Sequence, residues 1–251
     1  MDGFFQFLVG KNIIGYPPVD NRITSFFNDE SILGSYLIKF LPFIYLCIFQ
    51  NLKNQKILIY LLILLLATSV LIFLSGERAA FFLMILLTLY FIFMIKELKF
   101  FEIIFFISIF SMIFIIFFNE NIKSRYLHTI KELKKSDYWV NNEILDRNYT
   151  IGNYYIISPT HNNYYIQLLA ETGFIGFITI FIIFLFTLVR CLKILFDTKQ
   201  NSNLVEICLL SFFLINLWPL TSTGNFFNNW ISILIYMPIS FYLFYKDKNE
   251  F

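Results

Sequence analysis

Between Thr160 and Gly176 the chain reads THNNYYIQLLAETGFIG, so a histidine, several amides and phenols and one carboxylate run directly into an apolar segment. An imidazole can exchange a proton near neutral pH, and amide, phenol and carboxylate groups kept at a water boundary mark a site for polar chemistry. A helix starting near His161, after Pro159 with Thr160 as its cap, puts Tyr164, Gln167, Leu168 and Glu171 on one face at three- and four-residue spacing. Ile166, Leu169 and Ala170 then take the other face. Polar groups leading into a membrane span need a cavity, a partner or water to be tolerable. The plainer alternative is a structural histidine at a boundary, and helix spacing taken alone favours it.

Arg78, in the turn Ser75 to Arg78, is the second candidate, and Arg22, in RITSFFNDESILGSYL ahead of the first span, is a third that is unremarkable by itself. A guanidinium offers planar, bidentate donors to phosphate oxygens. The plainer account of Arg78 is a snorkelling side chain paired with its neighbour Glu77. Lys39, inside an apolar run, reads as a snorkelling or paired residue.

The elements that must position these groups are membrane helices. Hydrophobic residues make up 58% of the 251 and charged residues 14%, against about 45–50% and 25% in soluble domains. Seven apolar runs approach or reach the length that crosses ~30 Å of hydrocarbon: Leu33 to Gln50, Ile57 to Leu74, Ala79 to Ile95, Phe100 to Phe118, Gly173 to Ile194, Leu204 to Leu220, and Trp230 to Tyr245. Short connections make neighbours antiparallel. The expected fold is all-α, a polytopic transmembrane bundle of about seven spans forming a single membrane domain over residues 1–251. It comprises an outward N-terminal segment at 1–32, spans over 33–118, an outward loop at 119–160 and spans over 161–251.

The positive-inside bias gives the orientation. Lys53, Lys56, Lys96, Lys99, Arg190, Lys193, Lys199, Lys246 and Lys248 fall on one side and only Arg78 in the short loops of the other, nine against one. The basic side is cytoplasmic. The loop at 119–160 then faces outward despite Lys123, Arg125, Lys131, Lys134, Lys135 and Arg147, which form either a solvated face or a surface for an anionic head group or diphosphate. Ile122, Tyr126, Ile130 and Leu133 recur at helical spacing, predicting a short amphipathic helix on the membrane surface.

Several chemistries are set aside. Two histidines, His128 and His161, with Cys47, Cys191 and Cys208 confined to apolar segments, do not make a common zinc site, so no metal is assigned. No GxxxxGK or GxSxG pattern occurs. A net charge of +2 with cations at helix ends gives no nucleic-acid footprint. Energy for any group transfer would have to reside in an activated substrate.

Four stretches together resemble one family: RITSFFNDESILGSYLIKFLP from Arg22, LSGERAAFFL from Leu74, HNNYYIQLLAETGFIGF from His161, and WPLTSTGNFFNNW from Trp218. In order and placement they are similar to the bacterial O-antigen polymerase and O-antigen ligase superfamily, and the chain looks like the C-terminal part of a member. The resemblance implies a multi-pass protein of the cytoplasmic (inner) membrane, with its active face periplasmic or extracytoplasmic, serving lipopolysaccharide and surface polysaccharide biosynthesis. It implies a glycosyltransferase without metal or cofactor, acting on glycans carried by undecaprenyl diphosphate. Its expected partners are that lipid-linked glycan, membrane lipids, and a chain-length regulator or flippase. Residue by residue, it implies that Arg78 and Arg125, with Arg22, bind the diphosphate, that His161 orients or deprotonates the acceptor hydroxyl, and that Glu171 positions His161 or a sugar hydroxyl. Tyr164 and Gln167 would contact acceptor or glycan. The SGER turn and GNFFNNW favour a polymerase that joins repeat units over a ligase that moves the glycan to a lipid A core. Other readings are a lipid-linked glycan transporter with Lys39, Glu102 and Glu206 along its path, and a non-catalytic membrane partner.

Overall fold

The computed structural model describes residues 2–19, 22–28, 32–95, 100–120, 122–124, 164–196, 204–219 and 229–249. Among these, the regular elements are helices: α1 (Asp2–Val9), α2 (Leu33–Gln50), α3 (Gln55–Ser75), α4 (Arg78–Met94), α5 (Phe100–Phe118), α6 (Tyr164–Phe196), α7 (Leu204–Asn216) and α8 (Asn229–Asn249), with a 3₁₀ turn at Ser25–Phe27. The expected all-helical character is observed in them. Three helices, α2, α3 and α6, are long and apolar enough to cross a membrane, whereas α4, α5 and α7 hold shorter apolar segments. At 1.5 Å per residue the 21 residues of α3 rise about 30 Å, a full hydrocarbon thickness.

The helix boundaries have local causes. The Asn54 side chain accepts from Ile57 N–H at 3.4 Å and caps α3. Gly76 ends that helix in the left-handed region at φ 71°, which a side chain would disfavour. After Glu77 the chain turns back as α4.

Two compact units divide the chain, Met1–Ile109 with His161–Phe251, and Phe110–Thr160. In the first, α2 packs on α3, α4 and α7, and α7 also meets α4, α6 and α8. Ile207 through Asn216 of α7 are all buried. Of the expected span Leu204 to Leu220 this helix covers 13 residues, about 20 Å long, and its neighbours enclose it. A helix buried on every side is apolar on every side, so its sequence resembles a lipid-facing span. Phe43 meets the Phe212 ring edge-on at 4.1 Å, Tyr45 stacks on Phe91 at 4.0 Å, and the Tyr90 hydroxyl donates to Ile207 C=O at 3.0 Å.

In the second unit, α5 runs on to Phe118, and the Asn119 side chain accepts from Ile122 N–H at 3.2 Å to start a new helical turn. Ile122 is buried. The rest of the expected amphipathic helix, including Tyr126, Ile130 and Leu133, lies outside the described residues.

Candidate functional site

Glu77 organises one end of the first unit. Its carboxylate accepts from Gly34 N–H at 2.5 Å, from Ser35 N–H at 3.0 Å and from the Ser35 hydroxyl, all in the first turn of α2. The first turn of a helix presents unpaired N–H groups and a partial positive charge, both of which an anion satisfies. So close an approach requires Gly34, where an added Cβ would lie 3.1 Å from Glu77 Oε1 and 3.2 Å from the Ala80 Cβ and would overlap the Ser75 hydroxyl. Burial pushes the Glu77 pKa up, while the hydrogen bonds from Ser35 and Gly34 and the positive charge of Arg22 pull it down; burial is the largest influence. Sequence reasoning passed over Glu77 except as a partner for Arg78. The signal was SGE itself: a glycine helix stop followed by a carboxylate, with a Gly-Ser pair opening the preceding helix.

Around that carboxylate stand cations. Arg22 lies within electrostatic reach, brought there by the segment whose Ile23 N–H donates to Leu74 C=O at 3.4 Å, and its buried Nε has no hydrogen-bond partner among the described residues. Lys39, six residues after the start of α2, is 6% exposed and also feels the Glu77 charge. Arg78, the first residue of α4, is exposed.

The start of α6 and the end of α7 reach the same end. Trp218 lies 6.2 Å from the Phe82 ring of α4 and 6.1 Å from Phe184 of α6, and the Tyr165 hydroxyl donates to Leu217 C=O at 2.7 Å. Tyr165 had no assigned role in the sequence reading. It ties the first turn of α6 to the end of α7.

Within α6 the predicted polar face needs one correction. Leu168 is 2% exposed and shares the buried face with Tyr165, whereas Glu171 is exposed and accepts from Gln167 Nε2 at 2.7 Å. Packing of Tyr165 against α7 fixes the rotation of the helix, and residue 168, three positions on, must follow it inward. Gly173 interrupts α6 at φ 69°, ψ −168°, a conformation open essentially to glycine alone. The turn carrying Gln167 and Glu171 is therefore distinct from the segment over Phe174 to Phe196. His161 and Arg125 lie outside the described residues, and Tyr164 opens α6.

The three acidic and basic residues of the transporter reading are not gathered. Lys39 sits near Glu77, Glu206 in the first turn of α7 pairs with Arg190 at 2.8 Å, and Glu102 is exposed in the first turn of α5. No protein-family model, curated protein or solved structure matches the chain.

Proposed function

We propose that the chain is a membrane glycosyltransferase that polymerises oligosaccharide repeat units carried on undecaprenyl diphosphate, at the extracytoplasmic face of the cytoplasmic membrane. In this reading seven spans form the bundle, the basic loops at Lys53–Lys56, Lys96–Lys99 and Arg190–Lys199 are cytoplasmic, and the Glu77 end faces outward. The observation that carries it is the gathering, at one end of the bundle, of the segments bearing Arg22, Arg78, Trp218 and Gln167–Glu171. These belong to all four stretches that resemble the polymerase and ligase superfamily.

The chemistry divides as follows. The acceptor hydroxyl attacks the anomeric carbon of the donor sugar; a glycosidic bond forms, the bond from that carbon to the phosphate oxygen breaks, and undecaprenyl diphosphate leaves with the electron pair. The hydroxyl proton passes to His161. Charge develops on the diphosphate, so arginines held in place stabilise the transition state more than the ground state. The helix terminus of α2, otherwise an anion site, is already occupied by Glu77. In this reading the side chains of Arg22 and Arg78 bind the diphosphate, and the family resemblance adds Arg125.

The test is surface-glycan length in a strain lacking the gene, complemented with the parental chain or with Arg78→Lys or His161→Ala. Single repeats without polymer in the deletion strain support the polymerase, while polymer accumulating on the carrier lipid identifies a ligase instead. A general base contributes about 10²–10⁴-fold, so His161→Ala inserted at parental levels should make almost no polymer. Arg78→Lys keeps the charge but loses the bidentate fork. Full polymer from both variants would sink the reading.

A further inference from the structure

Residues 2–16 are built inside out. The buried residues of α1 are Asp2, Gly3 and Gln6, whereas Leu8 is 80% exposed and Val9 60%. Past the helix, Asn12 is buried while Ile13 and Ile14 are 69% and 61% exposed. In water this arrangement forfeits the hydrophobic driving force, whereas in hydrocarbon it is what must form, with polar groups satisfied internally and apolar groups outward.

The side chains of Asp2, Gln6 and Asn12 are satisfied internally, while the buried Thr24 hydroxyl beside them has no hydrogen-bond partner among the described residues. Asp2 accepts from Ile13 N–H at 2.9 Å and from the Ser25 hydroxyl at 2.6 Å. Gln6 Oε1 accepts from Thr24 and Ser25 N–H at 3.1 and 2.7 Å while its Nε2 donates to Tyr16 C=O at 3.2 Å. Asn12 Oδ1 accepts from Gly15 and Tyr16 N–H, and its Nδ2 donates to Ser25 C=O at 2.8 Å. This network holds Ser25 at φ 53°, a left-handed conformation rare for serine.

Packing at Gly3 sets the element against the end of α3. Gly3 sits against Leu71, Ile23 and Leu33: an added Cβ would lie 2.9 Å from the Leu71 Cδ2, so that side chain would have to shift. Leu71 stands four residues inside the end of α3 at Ser75, about 6 Å along a helix long and apolar enough to cross the hydrocarbon. A helix seated there is level with the outermost turns of α2 and α3.

We infer that residues 2–16 form a lipid-inserted wedge, with Phe5, Leu8, Val9, Ile13 and Ile14 in the acyl-chain region of the leaflet at the Glu77 end and Lys11 reaching up to the head groups. The occupant of this face is lipid because Asp2, Gln6 and Asn12 spend their side-chain hydrogen bonds inward, leaving apolar surface and one exposed cation. That is the chemistry of acyl chains beneath anionic head groups. Through Gln6 and Asn12 the wedge also fixes the height of the segment that carries Arg22. The inference stands on the membrane character of the chain and is independent of the reaction.

The test is nitroxide accessibility in the full chain, reconstituted into phosphatidylcholine and phosphatidylglycerol vesicles, with Cys47, Cys191 and Cys208 replaced by alanine. Labels at Leu8→Cys and Ile13→Cys should collide more with oxygen than with a water-soluble nickel chelate, and a label at Lys11→Cys should shift toward the chelate. A label at Asn54→Cys, in the exposed turn before α3, should report water, and one at Ile63→Cys, exposed on α3, should report oxygen and so verifies insertion. Chelate-dominated collision at Leu8 and Ile13 overturns the wedge. Protection from both quenchers overturns it too, by showing that a second copy or another protein segment covers the face. As a second readout with the native cysteines kept, Leu8→Trp should add fluorescence that brominated acyl chains quench; fluorescence insensitive to them refutes the inference.

Discussion

Glu77→Gln separates the charge of the buried carboxylate from its shape. The carboxylate meets Gly34 N–H at 2.5 Å and Ser35 N–H at 3.0 Å with two acceptor oxygens, and the Ser35 hydroxyl with one of them. Glutamine keeps one acceptor and presents a donor in place of the other. The Ser35 hydroxyl can rotate to accept, but a backbone N–H cannot, so one amide at the start of α2 loses its partner. An orphaned amide costs about 1–3 kcal/mol, and lost negative charge at a helix N-terminus about 0.3–1 kcal/mol more. Relief of the carboxylate's burial offsets part of this. The expected destabilisation at pH 7 is about 2 kcal/mol, read from equilibrium unfolding in mixed micelles. The pH dependence tests the reasoning more sharply. Burial, the largest influence, raises the Glu77 pKa, so the folded state binds this proton at a pH where the unfolded chain has released it. The stability linked to that proton is fully present below the unfolded carboxyl value, about 4.3, and is lost as pH rises through the raised folded value. Glutamine does not titrate, so the gap between parent and variant should widen from pH 7 to pH 4. A gap that narrows on acidification would mean that the hydrogen bonds and Arg22 outweigh burial. The account of this carboxylate would then be wrong.

Two further outcomes follow from the geometry of α6. Gly173→Ala places a Cβ at φ 69°, ψ −168°, costing about 1–3 kcal/mol; polymer output should fall with stability, and an unchanged unfolding midpoint would show that the break is not obligatory. Arg190→Met should destabilise by about 1–2 kcal/mol, less than a fully buried pair, because the two side chains of the Arg190–Glu206 bridge remain 33% and 16% exposed. A double-mutant cycle with Glu206→Gln checks this, and zero coupling would refute a stabilising role for the bridge.

Much of the framework was legible because it depends on local quantities. Runs of apolar residues declare helices wherever they occur, and the boundaries at Asn54, Gly76 and Gly173 carry their own cap or breaker chemistry. The interest of the SGER turn and of Gln167 and Glu171 was visible for the same reason, since polar groups stand out against an apolar background. Hydropathy could not say which face of a helix meets protein, because lipid tails and packed side chains select the same residues. That is why hydropathy did not show that the neighbours of α7 enclose it, and why it placed Leu168 with Glu171, whereas packing of Tyr165 sets the rotation. The partnerships that define the Glu77 end join residues 42 and 43 positions apart. Those of the N-terminal element join Asp2 to Ser25 and Gln6 to Thr24. No local pattern encodes such pairs. They arise only when packing brings a helix terminus and a carboxylate, or an amide and a strained turn, to one place, and the cost of burying an unpaired polar group then selects the partners.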